Sequence, residues 1–146
     1  MKLQKNTLAA IYSVLEFAAN PGRQLSAAEI ARQYRVSPHH LAKVLRTLGR
    51  AGHLESVRGV GGGYRFTGNA KRLTLMDVIE LFENISAPRR SGRRPPRRGP
   101  LPSGPSPQEV EDAVGVVLAE IDEISKATFR SITLATMLKL VARRRK

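Results

Sequence analysis

Ser37, His39, His40 and Lys43 fall within seven residues, just after the point where Ser37-Pro38 opens a helix. Hydroxyl and imidazole groups donate to or accept from base edges, and an ammonium reaches guanine or phosphate. Arg46 and Arg50 lie further along the same helix. Each residue also has a plainer reading. Ser37 serves as a cap in its own right, and adjacent His39 and His40 point to different azimuths, so at most one meets a groove floor. A second cluster begins at Arg58-Gly59 and runs through Gly61, Gly62 and Gly63. An arginine ahead of such a turn can slide into a minor groove, where A·T-rich tracts concentrate negative potential, and Gly59 allows close approach to the sugar-phosphate wall. A phosphate-cradling loop would need a helix after the glycines; here Tyr64-Arg65-Phe66 reads as a strand. Arg65 is expected to contact phosphate, and Tyr64 to belong to the core.

No other constellation carries chemistry. The three histidines, His39, His40 and His53, are scattered, there is no cysteine, and the acids sit mostly on exposed helix faces. That gives neither a triad nor a metal cage. Without cysteine there is no disulfide, no thiolate nucleophile and no thiolate-held zinc or iron–sulfur cluster. The chain is expected to be no enzyme and to carry no cofactor.

The elements that position these residues are marked by their caps. Leu8, Ile11, Leu15 and Ala18 recur at helical spacing and predict an amphipathic first helix. Ser26-Ala27-Ala28-Glu29 is a capping box for a second helix ending near Tyr34. Ser37 caps a third, with Pro38 at its first position, where a missing N–H costs nothing. Leu41, Val44, Leu45 and Leu48 are its apolar stripe; Gly49 and Gly52 break it, Gly52 acting as the C-terminal cap. Two helices separated by about three residues in a basic chain read as a helix-turn-helix. Leu54 to Arg58 and Tyr64 to Thr67, flanking the glycines, then read as the β-hairpin wing of a winged helix. Thr74 to Asp77 is another capping box, for a helix reaching about Asn84. Ser106-Pro107-Gln108-Glu109 opens a long helix with Val110, Val114, Val117, Leu118, Ile121 and Ile124 on one face. Thr133 caps a final short helix with Leu134, Met137, Leu138 and Val141 as its apolar side. The expected fold is therefore mainly α with a small β-hairpin: a winged helix-turn-helix plus a long C-terminal dimerisation helix. The long stripe needs a partner, and a second copy is preferred to packing on its own winged helix alone.

Charge is distributed unevenly. The 146 residues carry 25 Lys and Arg against 12 Asp and Glu, a formal net charge of +13, which argues for a polyanionic partner. Residues 1–87, the expected DNA-binding domain, hold 12 basic and six acidic side chains. Residues 88–107 hold six arginines, seven of the nine prolines and no acid, the composition of a disordered linker or arm. Residues 108–146 are nearly balanced, with seven basic and six acidic. The arm is either a phosphate-binding element or a solvated linker, and a non-specific nucleic-acid binder using it is the alternative function. The start of the chain has lysines ahead of an apolar stretch, but Tyr12, Ser13 and Glu16 interrupt it, so neither a signal peptide nor a membrane span is expected. A cytoplasmic bacterial protein is the resulting expectation.

The run VSPHHLAKVLRTLGRAGHLESVRGVGGGYRF, with LTLMDVIELFE after it and ITLATML near the end, resembles the Rrf-two family of bacterial winged-helix transcriptional regulators. The resemblance covers about Lys5 to Asn84 and, by pattern, Glu109 to Val141; HHLAKV looks most like the nitric-oxide-responsive repressor branch. It implies a homodimer whose long helix crosses to the partner. It implies double-stranded DNA contacts from Ser37, His39, His40 and Lys43, and from Arg58 and Gly59 at the wing. Ala42 stands where some relatives have a larger polar residue, and Leu8-Ala9-Ala10 departs from the family phrase near the start. Many members hold an iron–sulfur cluster through three cysteines, where this chain has residues 88–107 and no cysteine. The input left to it is a small molecule, a partner protein, or none.

Overall fold

The computed structural model of the chain describes residues 3–59, 61–83 and 104–145. Asn84 and nearly all of the expected arm at 88–107 lie outside the described residues. The elements in chain order are α1 (Lys5–Ala19), α2 (Ala27–Tyr34), α3 (Pro38–Arg50), β1 (Leu54–Val57), β2 (Gly63–Phe66), α4 (Leu75–Ile79), α5 (Pro107–Ser131) and α6 (Leu134–Arg144).

Helix α1 is the centre of the core. The expected stripe of Leu8, Ile11, Leu15 and Ala18 is displaced: Thr7, Ala10, Ile11, Val14, Phe17 and Ala18 are buried, while Leu8 and Leu15 are half-buried. The reason is that α2, α3, α4, α6 and β2 all pack around α1, so its buried arc is wide enough to take in small and hydroxyl-bearing residues. Those hydroxyls find acceptors, as burial requires. Ser13 Oγ donates to the Ala9 carbonyl at 2.7 Å. Thr7 Oγ1 donates to Glu83 Oε1 at 2.6 Å, and the Gln4 backbone N–H donates to the same oxygen at 2.8 Å. Gln4 offers no side-chain cap; a carboxylate from a distant turn serves instead, its charge at the positive end of the helix dipole.

The predicted caps of α2 and α3 form. Ser26 and Glu29 exchange backbone and side-chain hydrogen bonds at 2.7 and 3.2 Å, and Ser37 Oγ accepts weakly from His40 N–H at 3.5 Å. Gly49 does not break α3, which runs on to Arg50. The chain leaves the helix at Gly52, φ +84°, with Gly52 N–H bonded to the Gly49 carbonyl and His53 N–H to Leu48, both at 3.1 Å. That is a Schellman cap, whose left-handed position favours glycine.

Strands β1 and β2 pair antiparallel, Leu54 opposite Phe66 and Val57 opposite Gly63. The strands are offset from the expected spans, because the Gly62 N–H bonds the Gly59 carbonyl at 2.9 Å and closes the turn there. Arg58 is thereby left just outside the ladder. A third segment joins the sheet edge: Leu25 N–H donates to the Tyr64 carbonyl at 2.9 Å, and Tyr64 N–H to Leu25 at 2.8 Å.

Helix α4 is shorter than the sequence suggested. After the Thr74–Asp77 box, Leu81 and Phe82 bond three residues back, to Val78 and Ile79. This tighter winding turns Glu83 toward α1. The start of α4 is tied to the α5–α6 joint by Leu75 N–H to the Ile132 carbonyl at 2.9 Å and Leu134 N–H to Leu73 at 2.8 Å. Leu134 is fully buried in the same core as α1 and α3; Met137 and Leu138 pack partly against it, and Val141 is exposed. No residue of α5 is buried.

Two outcomes follow for stability. A Cβ on Gly63 would stand 2.4 Å from the Leu25 carbonyl oxygen, so Gly63→Ala is expected to cost about 1–3 kcal/mol, read as a lowered Tm; an unchanged Tm would contradict the close strand approach. Burial lowers the pKa of His53, with Asp77 partly opposing. The unfolded chain therefore binds the proton more readily, so stability is full above the ordinary histidine value of about 6.5 and declines as pH falls below it. Thermal melts between pH 5.5 and 7.5 are expected to fall more steeply for the wild type than for His53→Asn; parallel profiles would contradict this.

Candidate nucleic-acid interface

The amphipathicity of α3 sorts its side chains. Leu41, Val44, Leu45 and Leu48 are buried. At 100° per residue, His39, Lys43, Arg46 and Arg50 fall on the opposite side, and all four are exposed. The structure thus brings an imidazole and three cations into one outward stripe. Among the described residues, no carboxylate lies within ion-pairing distance of Lys43, Arg46 or Arg50. His40 is set about a quarter turn away from this stripe and half-buried; it faces a cleft beside α1 rather than the open side. Ser37, at the helix start, is exposed.

The wing presents Arg58 and Gly59, both exposed. Gly59 has φ +116° and Gly61 φ +74°, conformations that glycine adopts without a Cβ penalty. Arg58 likewise has no acidic partner among the described residues. Arg65, expected to contact phosphate, is ion-paired within the chain: its Nη2 lies 3.0 Å from Glu55 Oε2, across the strand pair. Both side chains are about half exposed, and an exposed pair of this kind contributes little, about 0.2–1 kcal/mol. Tyr64 packs against the core, beside Gly49.

What holds the wing beside α3 was not visible in the sequence. Besides the Leu25–Tyr64 pair, Gln24 Nε2 donates to the Gly61 carbonyl. The residues just before α2 therefore grip both β2 and the glycine turn. The sequence also gave no sign of Lys5 and Arg35, two exposed cations near the start of α3. Neither stands in a motif; only the folded chain brings them together.

A known family, described as Rrf2, iron-dependent transcriptional regulator, matches residues 3–140. An HTH-type transcriptional regulator of Rhodopseudomonas palustris, BadM, is 47% identical over 141 residues, spanning 97% of this chain and 83% of its own length. Among solved structures, a transcriptional regulator from Listeria innocua superposes with a TM-score of 0.71 at 25% identity, covering 95% of this chain and 87% of its own. CymR, the global cysteine regulator of B. subtilis, shares the fold with a TM-score of 0.67 at 22% identity, over 96% of this chain and 98% of its own.

The iron in the family's description finds no donor set here. Iron–sulfur clusters are held chiefly by thiolates, and the sequence has no cysteine and three histidines, all between residues 39 and 53. Among the described residues no three His, Cys, Asp or Glu side chains converge. The residues do not fit such a cluster. With the winged helix, the outward stripe of α3 and a family match over nearly the whole length, the chain belongs to the Rrf2 family and is a DNA-binding transcriptional regulator, not an enzyme.

Proposed function

We propose that the chain acts in the bacterial cytoplasm as a repressor, bound as a homodimer to a palindromic operator, with no iron–sulfur cluster of its own. The observation that carries this reading is the outward stripe His39–Lys43–Arg46 on α3, held in fixed relation to Arg58 on the wing. Ser37, His39 and Lys43 meet base edges in the major groove. Arg46 and Arg65 take phosphates, Arg65 leaving Glu55 to do so. His40 touches the groove only at its border. Arg58 and Gly59 enter the minor groove. Residues 1–87 are the reading unit, the six arginines within 88–107 add phosphate contacts, and 108–146 supply the dimer contact.

Support for the dimer comes from α5. Val110, Val114, Val117, Leu118, Ile121 and Ile124 recur along a 25-residue helix and are each at least 41% exposed. A helix of that length, about 37 Å, leaves a continuous apolar face in water unless a second copy covers it. A twofold dimer of this kind is expected to read half-sites about one DNA turn, ~34 Å, apart. Repression then needs only occupancy of the promoter.

Arg58→Ala is expected to weaken binding to a duplex enriched from a random pool by the purified protein, by about 1–3 kcal/mol, measured by fluorescence anisotropy at physiological salt. Equal wild-type affinity for the enriched and a scrambled duplex would contradict groove reading. Val117→Asp is expected to shift the chain from dimer to monomer in sedimentation equilibrium with little change in Tm, since Val117 is exposed within one chain. A monomeric wild type would contradict the α5 assignment.

A further inference from the structure

A cleft of about 460 Å³ opens between the first turns of α1 and the start of α3. Ala9, buried, and Leu8 and Val36, half-buried, form its apolar floor. Tyr12 forms one wall. Its ring is stacked on Tyr34, with centroids 5.1 Å apart and an interplanar angle of 13°. Tyr34 is itself anchored by a 3.0 Å hydrogen bond from its hydroxyl to Glu16. That hydroxyl, its pKa pushed up to about 12 by burial and by the Glu16 bond, adds no negative charge near neutral pH. The rim carries two exposed cations, Lys5 and Arg35.

Arg35 is the more telling of the two. Among the described residues it is the one non-glycine with positive φ, +54°. It sits where α2 ends, with Val36 N–H bonded to the Ala31 carbonyl at 3.0 Å, a position that glycine usually fills. The backbone accepts strain there, and the guanidinium is placed at the cleft as a result.

We propose that this cleft binds a small amphipathic organic anion, a flat apolar body carrying one carboxylate, and that its occupancy opposes DNA binding. The flat body lies on Leu8, Tyr12 and Val36, and the carboxylate sits between Lys5 and Arg35, where a guanidinium favours planar anions. The volume lies within the range of small-molecule sites, about 300–1,000 Å³. The antagonism rests on the groove-reading function proposed above: Ser37 and His40 line the cleft and also stand at the end of α3 that enters the groove. A bound anion crowds that end and neutralises two cations that otherwise attract phosphate.

The test uses 2-naphthoate as probe and the neutral 2-naphthamide as its control, titrated calorimetrically into the full chain. Naphthoate is expected to bind once per chain, and the amide at least about tenfold more weakly, a factor worth about 1.4 kcal/mol. Arg35→Gly removes the guanidinium and relieves the strained backbone, so it is expected to weaken naphthoate about tenfold without lowering Tm. Lys5→Gln serves as an independent second variant with the same expected direction. Naphthoate is also expected to raise the protein concentration needed to bind the enriched duplex. Absence of naphthoate binding, equal binding of the amide, or undiminished binding by both variants would overturn the site. Naphthoate binding with no effect on duplex affinity would overturn the antagonism. Failure of the ligand-free wild type to prefer the enriched duplex would instead overturn the groove-reading function, which the calorimetry does not depend on.

Discussion

Two main-chain hydrogen bonds between Leu25 and Tyr64, at 2.9 and 2.8 Å, join the approach to α2 with the second strand of the wing. A two-stranded hairpin alone is marginal in water. Here it gains a third edge, and the absence of a side chain at Gly63 lets that edge come close. The consequence reaches the surface. With the wing joined to the approach to α2, and α3 following α2 after the short turn at Arg35, the base of the wing is tied to the helix that carries the His39–Lys43–Arg46 stripe. In the groove-reading function proposed above, two contacts made by one connected body would avoid much of the ordering cost that two separate segments bear on binding.

The α5–α6 joint is also tied in by main-chain hydrogen bonds. Leu134, completely buried, and the paired backbones of Leu73–Leu75 and Ile132–Leu134 root the α5–α6 joint in the core that α1 organises. Most of α5 lies beyond that root with its apolar residues in water. A helix anchored at one end and uncovered along its length suits the proposed contact with a second copy, which would then be joined to α4 and α1 through that root. The cleft beside α1 lies on this same frame. A chain without thiols can thus keep the architecture of its family while any signal enters through different chemistry.

The local structure was legible because capping is local. Ser26 and Glu29, Ser37 and Pro38, Thr74 and Asp77, Ser106 and Glu109 each announce a helix within four residues, and each helix begins there. The wing was legible because glycines separate two short alternating runs. Contacts distant in sequence were not legible. Glu83 caps α1 from 79 residues away, and nothing in the neighbourhood of either residue signals it. Periodicity alone gives only part of the buried arc of α1, because it assumes burial on one side, whereas α2, α3, α4, α6 and β2 all pack around this helix. The pairing of Arg65 with Glu55 was not legible either, because it needs the strand register that sets the two opposite each other. Arg35 gave no warning of its left-handed backbone, since no glycine or asparagine stands at that turn. On the candidate site, residue types and the divergence of His39 from His40 were readable from the sequence; which of the two faces outward needed the helix to be seen in place.

The most direct measurement of the central claim is a titration of the isotopically labelled protein with its enriched duplex, followed through backbone amide resonances. The largest changes are expected at residues 37–46 and at Arg58 and Gly59 together, in one binding event. Changes confined to residues 88–107, with the start of α3 and the wing undisturbed, would contradict the account.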